Sequence, residues 1–494
     1  MSSTFPESFR KKIVEKLLKE GIFIAPDALR IIEENYSDEV VLEVAEIVKK
    51  ENLSMAEKRH VDLAISIIKG KKGENETLLK EPIAKQVEEK VKVISSYLGS
   101  ERSTDIIRNK VKYFASRFEK ISNILRQRVD FSRAVNLEYI MKSKEEGPFK
   151  SIVMVFDKKR NRLTVEDPTG RLEVIGVNDE KVREKISEVV VDSVIGIEIL
   201  KKNRTFLLTD VVFPDLPEGG VKKSEQDIAA LLLSDFHVGS KFFSEKYFYK
   251  IVNAIKGRGY VNEQLAQIMN KIKYVIIAGD LVDGVLIYPG QEKELEITEV
   301  SKQYEKVVNY IRELPDYITI IVIPGNHDVV RKAIPQPPID DENILELKKE
   351  RKNFYNLSNP CFVSLHDVNF LIFHGQSLED ITSSVPNINY YQPEQSMRYL
   401  LRVRHLAPIY GNNTQIALEV EDKLVIEEKP DVFHAGHIHI SGSDTYRGTR
   451  IVNSGTLQEL TPYQEGLGMT PTTGSFAVYL LNQGKVAILN AKNL

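Results

Sequence analysis

The sequence predicts a multidomain chain with an N-terminal α-helical module, then a β-barrel, then a C-terminal α/β layered sandwich. Three observations predict it. Apolar residues recur every three or four positions up to about residue 70, the helical period. From about 136 to 213 the alternation changes to period two. From 228 onward short apolar strands alternate with helical stripes, and five of those strands run into turns carrying Asp, Asn or His beside glycine.

The helical module covers residues 1–70. Phe9, Ile13 and Leu17 form one stripe. Val40, Val44, Ile47 and Val48 form a second behind a Ser37-Asp38 cap signal, and Val61, Ala64, Ile65 and Ile68 form a third that ends at Gly70. His60 reads as a core or surface residue. Residues 71–102 read as a charged, glycine-containing linker. A helix capped at Ser103 and running to Arg126 follows, with Ile107, Val111, Phe114, Phe118, Ile121 and Leu125 on its apolar face. Its other face carries Arg108, Lys110, Lys112, Arg117, Lys120 and Arg126, which fits either a solvated face or a nucleic-acid contact.

With that helix, residues 103–214 make the second domain. Strands are expected at 136–142, 149–156, 162–166, 171–177, 189–200 and 206–213, with a tight turn at Asp167-Pro168-Thr169-Gly170 and a short helix over 179–186. Five or six strands with one inserted helix best match a closed barrel of the oligonucleotide-binding type, the OB-fold. Its exposed basic residues Lys158, Lys159, Arg160 and Arg162 have few aromatics between them, so a partner-docking barrel fits as well as a strand-binding one. Residues 215–227, with two prolines and two glycines, read as the next linker, and 228–494 as the last domain.

In that domain the strand ends carry the chemistry. Asp235 and His237 follow the first strand, Asp280 and Asp283 the second, Asn326, His327 and Asp328 the third, His374 the fourth, and His437 and His439 the fifth. Strands of an α/β sheet deliver side chains to a site at their carboxyl ends. Asp235, His237, Asp280, Asn326, His374, His437 and His439 offer carboxylate, imidazole and amide oxygen without a thiolate. Such donors suit manganese, iron or zinc rather than magnesium alone, with manganese the expected ion, and seven are too many for one ion. Two divalent metals follow, with a carboxylate such as Asp280 able to bridge them. Two ions roughly 3.5 to 4 Å apart can hold a hydroxide and a phosphate diester for in-line displacement. A four-residue run such as Gly325-Asn326-His327-Asp328 arises by chance in a chain this long with odds of roughly one in several hundred.

The ordered set D-x-H, G-D-x-x-D, G-N-H-D, H-G and G-H-x-H resembles the calcineurin-like metallophosphoesterase superfamily. Repair nucleases of that superfamily carry the phosphoesterase first, whereas here it stands last, behind a helical module and a barrel. This order, with Val452-Asn453-Ser454-Gly455-Thr456, Gln458, Thr461-Pro462-Tyr463-Gln464 and Pro471-Thr472, resembles the small, exonuclease subunits of archaeal family D DNA polymerases. Leu457 departs from the pattern, which has an aromatic there. The resemblance implies one metal on Asp235, His237, Asp280 and His439, a second on Asp280, Asn326, His374 and His437, and His327 as the catalytic imidazole. It leaves Asp283, Asp328 and His434 as supporting residues, Asn453 as a contact to substrate or to the ligands, and His366 and His405 as ordinary residues.

The function implied is a proofreading 3′-to-5′ exonuclease that acts on DNA at a single-stranded 3′ end or a primer-template. No polymerase site is legible, so synthesis falls to a large catalytic subunit, and a sliding clamp stands as a further candidate partner. Two other readings stand beside it: a scaffold subunit of the same layout with a silent site, which would not retain all seven ligands, and a stand-alone repair nuclease or phosphatase with the same metal chemistry. The single cysteine, Cys361, excludes an internal disulfide and a thiolate zinc site. No apolar run reaches membrane-helix length, and the first twelve residues lack a signal-peptide core, so the expected compartment is the cytoplasm. A net charge of −3 argues against a globally basic coat.

Overall fold

The computed structural model describes residues 7–34, 38–50, 53–65, 82–99, 105–258 and 263–494. Two compact units emerge, Met1–Glu81 and Pro82–Leu494. The first holds helices Glu7–Lys19, Pro26–Glu34 and Asp38–Lys50 and a short parallel pair, β1 (Phe23–Ile24) with β2 (Met55–Ala56). The predicted stripes supply its core: Ile13, Leu17, Val40, Val44, Ile47, Val48, Val61 and Ala64 are buried together. His60 is buried, and its Nδ1 accepts the Glu57 amide at 2.9 Å. The Ser37 cap, Ile68, Gly70, the first part of the 71–102 linker and the Ser103 cap lie outside the described residues.

The rest of that linker is not one. Residues 91–96 form β3 (Val91–Ser96), which pairs antiparallel with a strand some 270 residues away in the C-terminal region, from Cys361 to Leu365. Most of its side chains are exposed, so it carries little apolar alternation. Backbone pairing, which leaves no mark in the sequence, is what makes it a strand.

The helix begins at Ile106 behind an Asp105 cap, whose carboxylate accepts the Arg108 amide, and ends at Arg126. Its buried side is the expected one in its second half, where Ile121 and Leu125 are buried and Phe114 and Phe118 pack against the same cluster, but not in its first. Ile107 and Val111 are 80% and 66% exposed, while Tyr113, Arg117, Ile121 and Leu125 are buried. Arg117 leaves the supposed basic face altogether: its guanidinium donates to Asp422 Oδ2 (2.8 Å) and to the carbonyls of Pro408 (2.6 Å) and Asp192 (3.1 Å). Lys120 pairs with Glu421 and Glu427. With Lys110, whose Nζ lies 4.6 Å over the Tyr410 ring, three of the six basic residues tie the helix to the C-terminal region, at contacts hundreds of residues away in sequence.

A second correction falls at 136–142, which is the helix Leu137–Lys142 rather than a strand. Asn136 caps it by accepting the Tyr139 amide, and Leu137 and Ile140, one turn apart, are buried. Five strands then close into a barrel in the order β4-β5-β6-β8-β7: β4 (Gly147–Lys159), β5 (Arg162–Asp167), β6 (Gly170–Gly176), β7 (Val194–Lys202) and β8 (Thr205–Val212). The helix Glu180–Glu188 lies between β6 and β7.

Two six-stranded sheets follow. One has the order β12-β11-β10-β9-β18-β19, from β9 (Ala229–Leu233), β10 (Ile272–Ala278), β11 (Thr319–Ile323), β12 (Phe354–Asn356), β18 (Ser475–Leu480) and β19 (Lys485–Asn490). The other has the order β16-β17-β15-β14-β13-β3, from β13 (Cys361–Leu365), β14 (Val368–Ile372), β15 (Val432–Ala435), β16 (Ser441–Tyr446) and β17 (Thr449–Ser454). Leu232, Ile276 and Ile321 of the first share a buried cluster with Val363, Phe370 and Val432 of the second. Their neighbours Leu231, Val275 and Ile320 point the other way, onto the helices Glu245–Ile255 and Val300–Arg312. Burial on both faces explains the continuous apolar runs that mark β9 to β11 in the sequence. Leu371 and Phe433 of the second sheet join the core of the barrel. No helix among the described residues is long and apolar enough to cross a membrane.

Candidate metal centre

All eight predicted site residues meet where the carboxyl ends of β9, β10, β11, β14 and β15 converge. Three donor groups form there: Asp235 with His237 and His439, Asp280 with His374 and His437, and His237 with Asp283 and His327. Asp280 stands between the first two, its Oδ2 lying 3.2 Å from His374 Nε2 and 3.7 Å from His237 Nε2. Asn326 Oδ1 is 2.9 Å from His374 Nε2, and His439 Nε2 is 3.5 Å from Asp235 Oδ1.

The backbone is bent to bring them there. Asp235, His237, Asp280, His437 and His439 all have φ between +52° and +68°. That left-handed region costs a non-glycine residue on the order of 1 to 3 kcal/mol, and such residues cluster at functional sites. Glycine makes room beside them. A Cβ on Gly325 would fall 2.1 Å from Asp280 Oδ1, and one on Gly436 2.5 Å from Asp235 Oδ2.

Hydrogen bonds behind the rings fix their tautomers. His374 Nδ1 lies 2.7 Å from the Ala278 carbonyl, which can only accept, so Nδ1 carries the proton and Nε2 presents its lone pair to Asn326 Oδ1 and Asp280. His237 Nδ1 likewise donates to Asp283 Oδ1 (3.0 Å), turning Nε2 toward Asp280. Acceptors that converge on acceptors require a cation among them or an extra proton on a ring. Donor set and tautomers therefore fit a divalent ion at each of the two groups around Asp280.

The electrostatics have the same origin. Burial would raise Asp280, but the charges of His374, His327 and His237 outweigh it and hold the carboxyl well below the usual range. Burial would lower His374, yet the Asp280 carboxylate pushes it up to about 9. His237 is raised because Asp283 overcomes burial. His437 has burial and the His374 charge against it and falls to about 3. Burial also takes His327 down to about 4.

His327 diverges from Asn326. Its Nδ1 donates to the Asp283 carbonyl (2.8 Å), and its backbone amide donates to Asp280 Oδ1 (2.8 Å). Asp283 lies behind His237 and accepts from Gln291 and Gln458. Asp328 braces the Gly325–His327 turn by accepting the Gly325 amide and the Tyr304 hydroxyl. His434 bonds Ser454 inside the sheet. Asn453 is buried and donates to the Gly436 carbonyl, which makes it a support for the turn that carries His437. His366 is buried against Tyr274 beside β3, and His405 bonds Asp422. Leu457 is fully buried in the helix-facing core, and its amide donates to the Asp235 carbonyl.

Sequence reasoning missed Asn359 and Gln336, and it met Gln464 only as part of a motif, without a role. Gln464 Nε2 lies 2.9 Å from His439 Nδ1. Asn359 Oδ1 accepts the His374 amide, while Gln336 links Asn359 to the Gly325 carbonyl. Glutamine and asparagine signal nothing by spacing. Only the role of Gln464 could have been found, through its place in the Thr461–Gln464 capping pattern.

The two sheets present D-x-H, G-D-x-x-D, G-N-H-D, H-G and G-H-x-H at one rim, the motif set that resembles the metallophosphoesterase class. Residues 232–441 match the family model of the B subunits of DNA polymerases alpha and epsilon. The DNA polymerase II small subunit of Archaeoglobus fulgidus is 37% identical over 94% of this chain and 95% of its own length. That of Methanothermobacter thermautotrophicus is also 37% identical, over 80% of this chain and 82% of its own. Among solved structures, a Vps29 single mutant from Entamoeba histolytica covers 53% of this chain and 97% of its own at 13% identity, with a TM-score of 0.26, too slight a likeness to argue from. The chain belongs to the family of archaeal DNA polymerase II small subunits, as its motifs and domain order led one to expect.

Proposed function

We propose that this chain is the proofreading 3′-to-5′ exonuclease subunit of a two-subunit DNA polymerase whose synthetic subunit is a second, larger chain. The observation that carries the reading is the placement of Asp280 between two donor groups whose rings aim Nε2 at it. Asp235, His237, Asp280 and His439 would hold one divalent ion, and Asp280, Asn326, His374 and His437 the other. Oxygen and imidazole donors without thiolate fit manganese, which we take as the ion, with iron, zinc or magnesium as alternatives. When bound, two such ions supply the charge that polarises a phosphodiester and acidifies water.

The chain's own residues do the rest. Asp283 and the Ala278 carbonyl keep His237 and His374 in the tautomer that leaves Nε2 open. The Asp283 carbonyl holds the His327 ring by Nδ1, so its Nε2 is left to face the reacting phosphate. Burial keeps this ring neutral by itself, and a phosphodiester anion beside it reverses that, favouring the imidazolium that can give a proton to the departing 3′ alkoxide. The five-stranded barrel we read as an OB-fold that serves partner docking or strand binding.

The test is a 5′-labelled primer with a 3′ mismatch, given with manganese to the purified chain with and without the large subunit. Stepwise shortening from the 3′ end is expected. A metal-loaded complex that leaves the primer intact would favour the scaffold reading instead.

A further inference from the structure

A file of aromatic rings starts at the imidazoles of the site and ends in solvent. The rings of His237 and His327 are 4.5 Å apart, and Tyr288 lies 6.3 Å beyond His327. Tyr463 then stacks on Tyr288 at 4.9 Å, with 28° between the planes. Both tyrosines are held from behind. The Tyr288 hydroxyl donates to Glu294 Oε2 (2.9 Å). Tyr463 belongs to the short helix Pro462–Gly466, whose capping box joins Thr461 to Gln464, and Gln464 in turn touches His439. From the far side Tyr391 donates to the Gly468 carbonyl (2.6 Å).

A pair fixed this firmly is not closed off. Tyr463 remains 48% exposed, and in sequence the two tyrosines are flanked by exposed Leu286, Leu460 and Leu467. Leu286 also has φ +61°, a conformation bulky residues avoid. An oriented, half-open aromatic pair that begins 6.3 Å from the His327 ring has the chemistry of a stacking surface. Every nucleobase has a π-face, so such a surface takes any base, as an enzyme that removes whichever nucleotide was misincorporated must.

We propose that Tyr288 and Tyr463 form a base-stacking platform that positions the nucleotide bearing the scissile phosphate. The proposal rests on the nuclease reading above and adds to it the recognition of the base. Stacking of one base on an aromatic residue is worth about one to two orders of magnitude in apparent affinity.

The experiment uses the full chain with its polymerase partner and manganese. Two 5′-labelled oligonucleotides are compared, one ending in thymidine and one in an abasic sugar, each over a range of concentrations. Wild type should favour the thymidine end by about ten- to a hundredfold, chiefly through KM. Tyr463→Ala should lose most of that preference, slowing the thymidine end far more than the abasic end, and Tyr463→Phe should keep it. Equal slowing of both substrates in Tyr463→Ala, an intact preference in that variant, or no preference in wild type would each overturn the platform. A wild-type complex that cleaves neither oligonucleotide would overturn the nuclease reading, and the platform with it.

Discussion

Replacing Gly325 with alanine tests how closely the turn after β11 is fitted to the site. The new Cβ would stand 2.1 Å from Asp280 Oδ1, 2.8 Å from its Cγ and 2.6 Å from its backbone nitrogen, where contacts under 3.0 Å are essentially never seen. Asp280 is buried, with the His327 amide on Oδ1 and His374 against Oδ2, so it has no free rotamer to retreat into. The carboxylate must therefore yield by about an ångström, or the Gly325–Asp328 turn must lift. Overpacking of this kind costs about 1 to 3 kcal/mol. A misplacement of about 1 Å costs on the order of a hundredfold in rate. Gly325→Ala should lower the denaturation midpoint modestly, weaken metal uptake, and reduce 3′-end cleavage about a hundredfold. Gly220→Ala, where nothing lies within 4 Å of the added carbon, is the control and should change none of these. Wild-type metal content and activity in Gly325→Ala would refute the close approach of this turn to Asp280.

Three further outcomes follow from the same structure. His327→Ala should lose ~10²- to 10⁴-fold in single-turnover cleavage while elemental analysis still finds both ions, and loss of one ion per chain would make His327 a ligand instead. Arg117→Met should destabilise the second unit by about 3 to 5 kcal/mol in urea, because it strands the buried Asp422 carboxylate; a shift of a few tenths would show that the pair is dispensable. Stability should also fall in acid through His405, whose Nδ1 accepts the Ala407 amide and whose Nε2 faces Asp422, a neutral arrangement that burial and the Arg117 charge hold down to about 4. The unfolded ring, at about 6.5, binds its proton first, so this contribution is intact above pH about 6.5 and is lost as pH falls toward 4. His405→Gln should flatten the midpoint against pH over that window, and an unchanged slope would exclude His405 as the source.

The residues that gather at the site were legible because each motif is local. A strand end, a glycine and one or two donors lie within five residues, as in Gly279–Asp283 and Gly325–Asp328, and the order of five such motifs fixes the class. The left-handed backbone at Asp235, His237 and Asp280 was not legible, since only the gathered site imposes it. Residues whose role depends on distant partners were misread for a related reason. Arg117 reads as surface until Asp422, about three hundred positions later, is brought against it, and β3 reads as linker until Cys361–Leu365 offers an edge. Leu137 and Ile140 gave no clear period, because a two-turn helix is too short to separate spacing of three from spacing of two.

We propose that two ions held around Asp280 make this chain a 3′-end nuclease. The most direct test is titration of the metal-stripped two-subunit complex with manganese, with bound metal counted as mismatched primer cleavage is timed. Two equivalents should bind per small subunit, with cleavage rising mainly on the second, and Asp280→Ala should abolish both uptake and cleavage while DNA synthesis continues. Full cleavage with one equivalent bound, or in Asp280→Ala, would contradict the account.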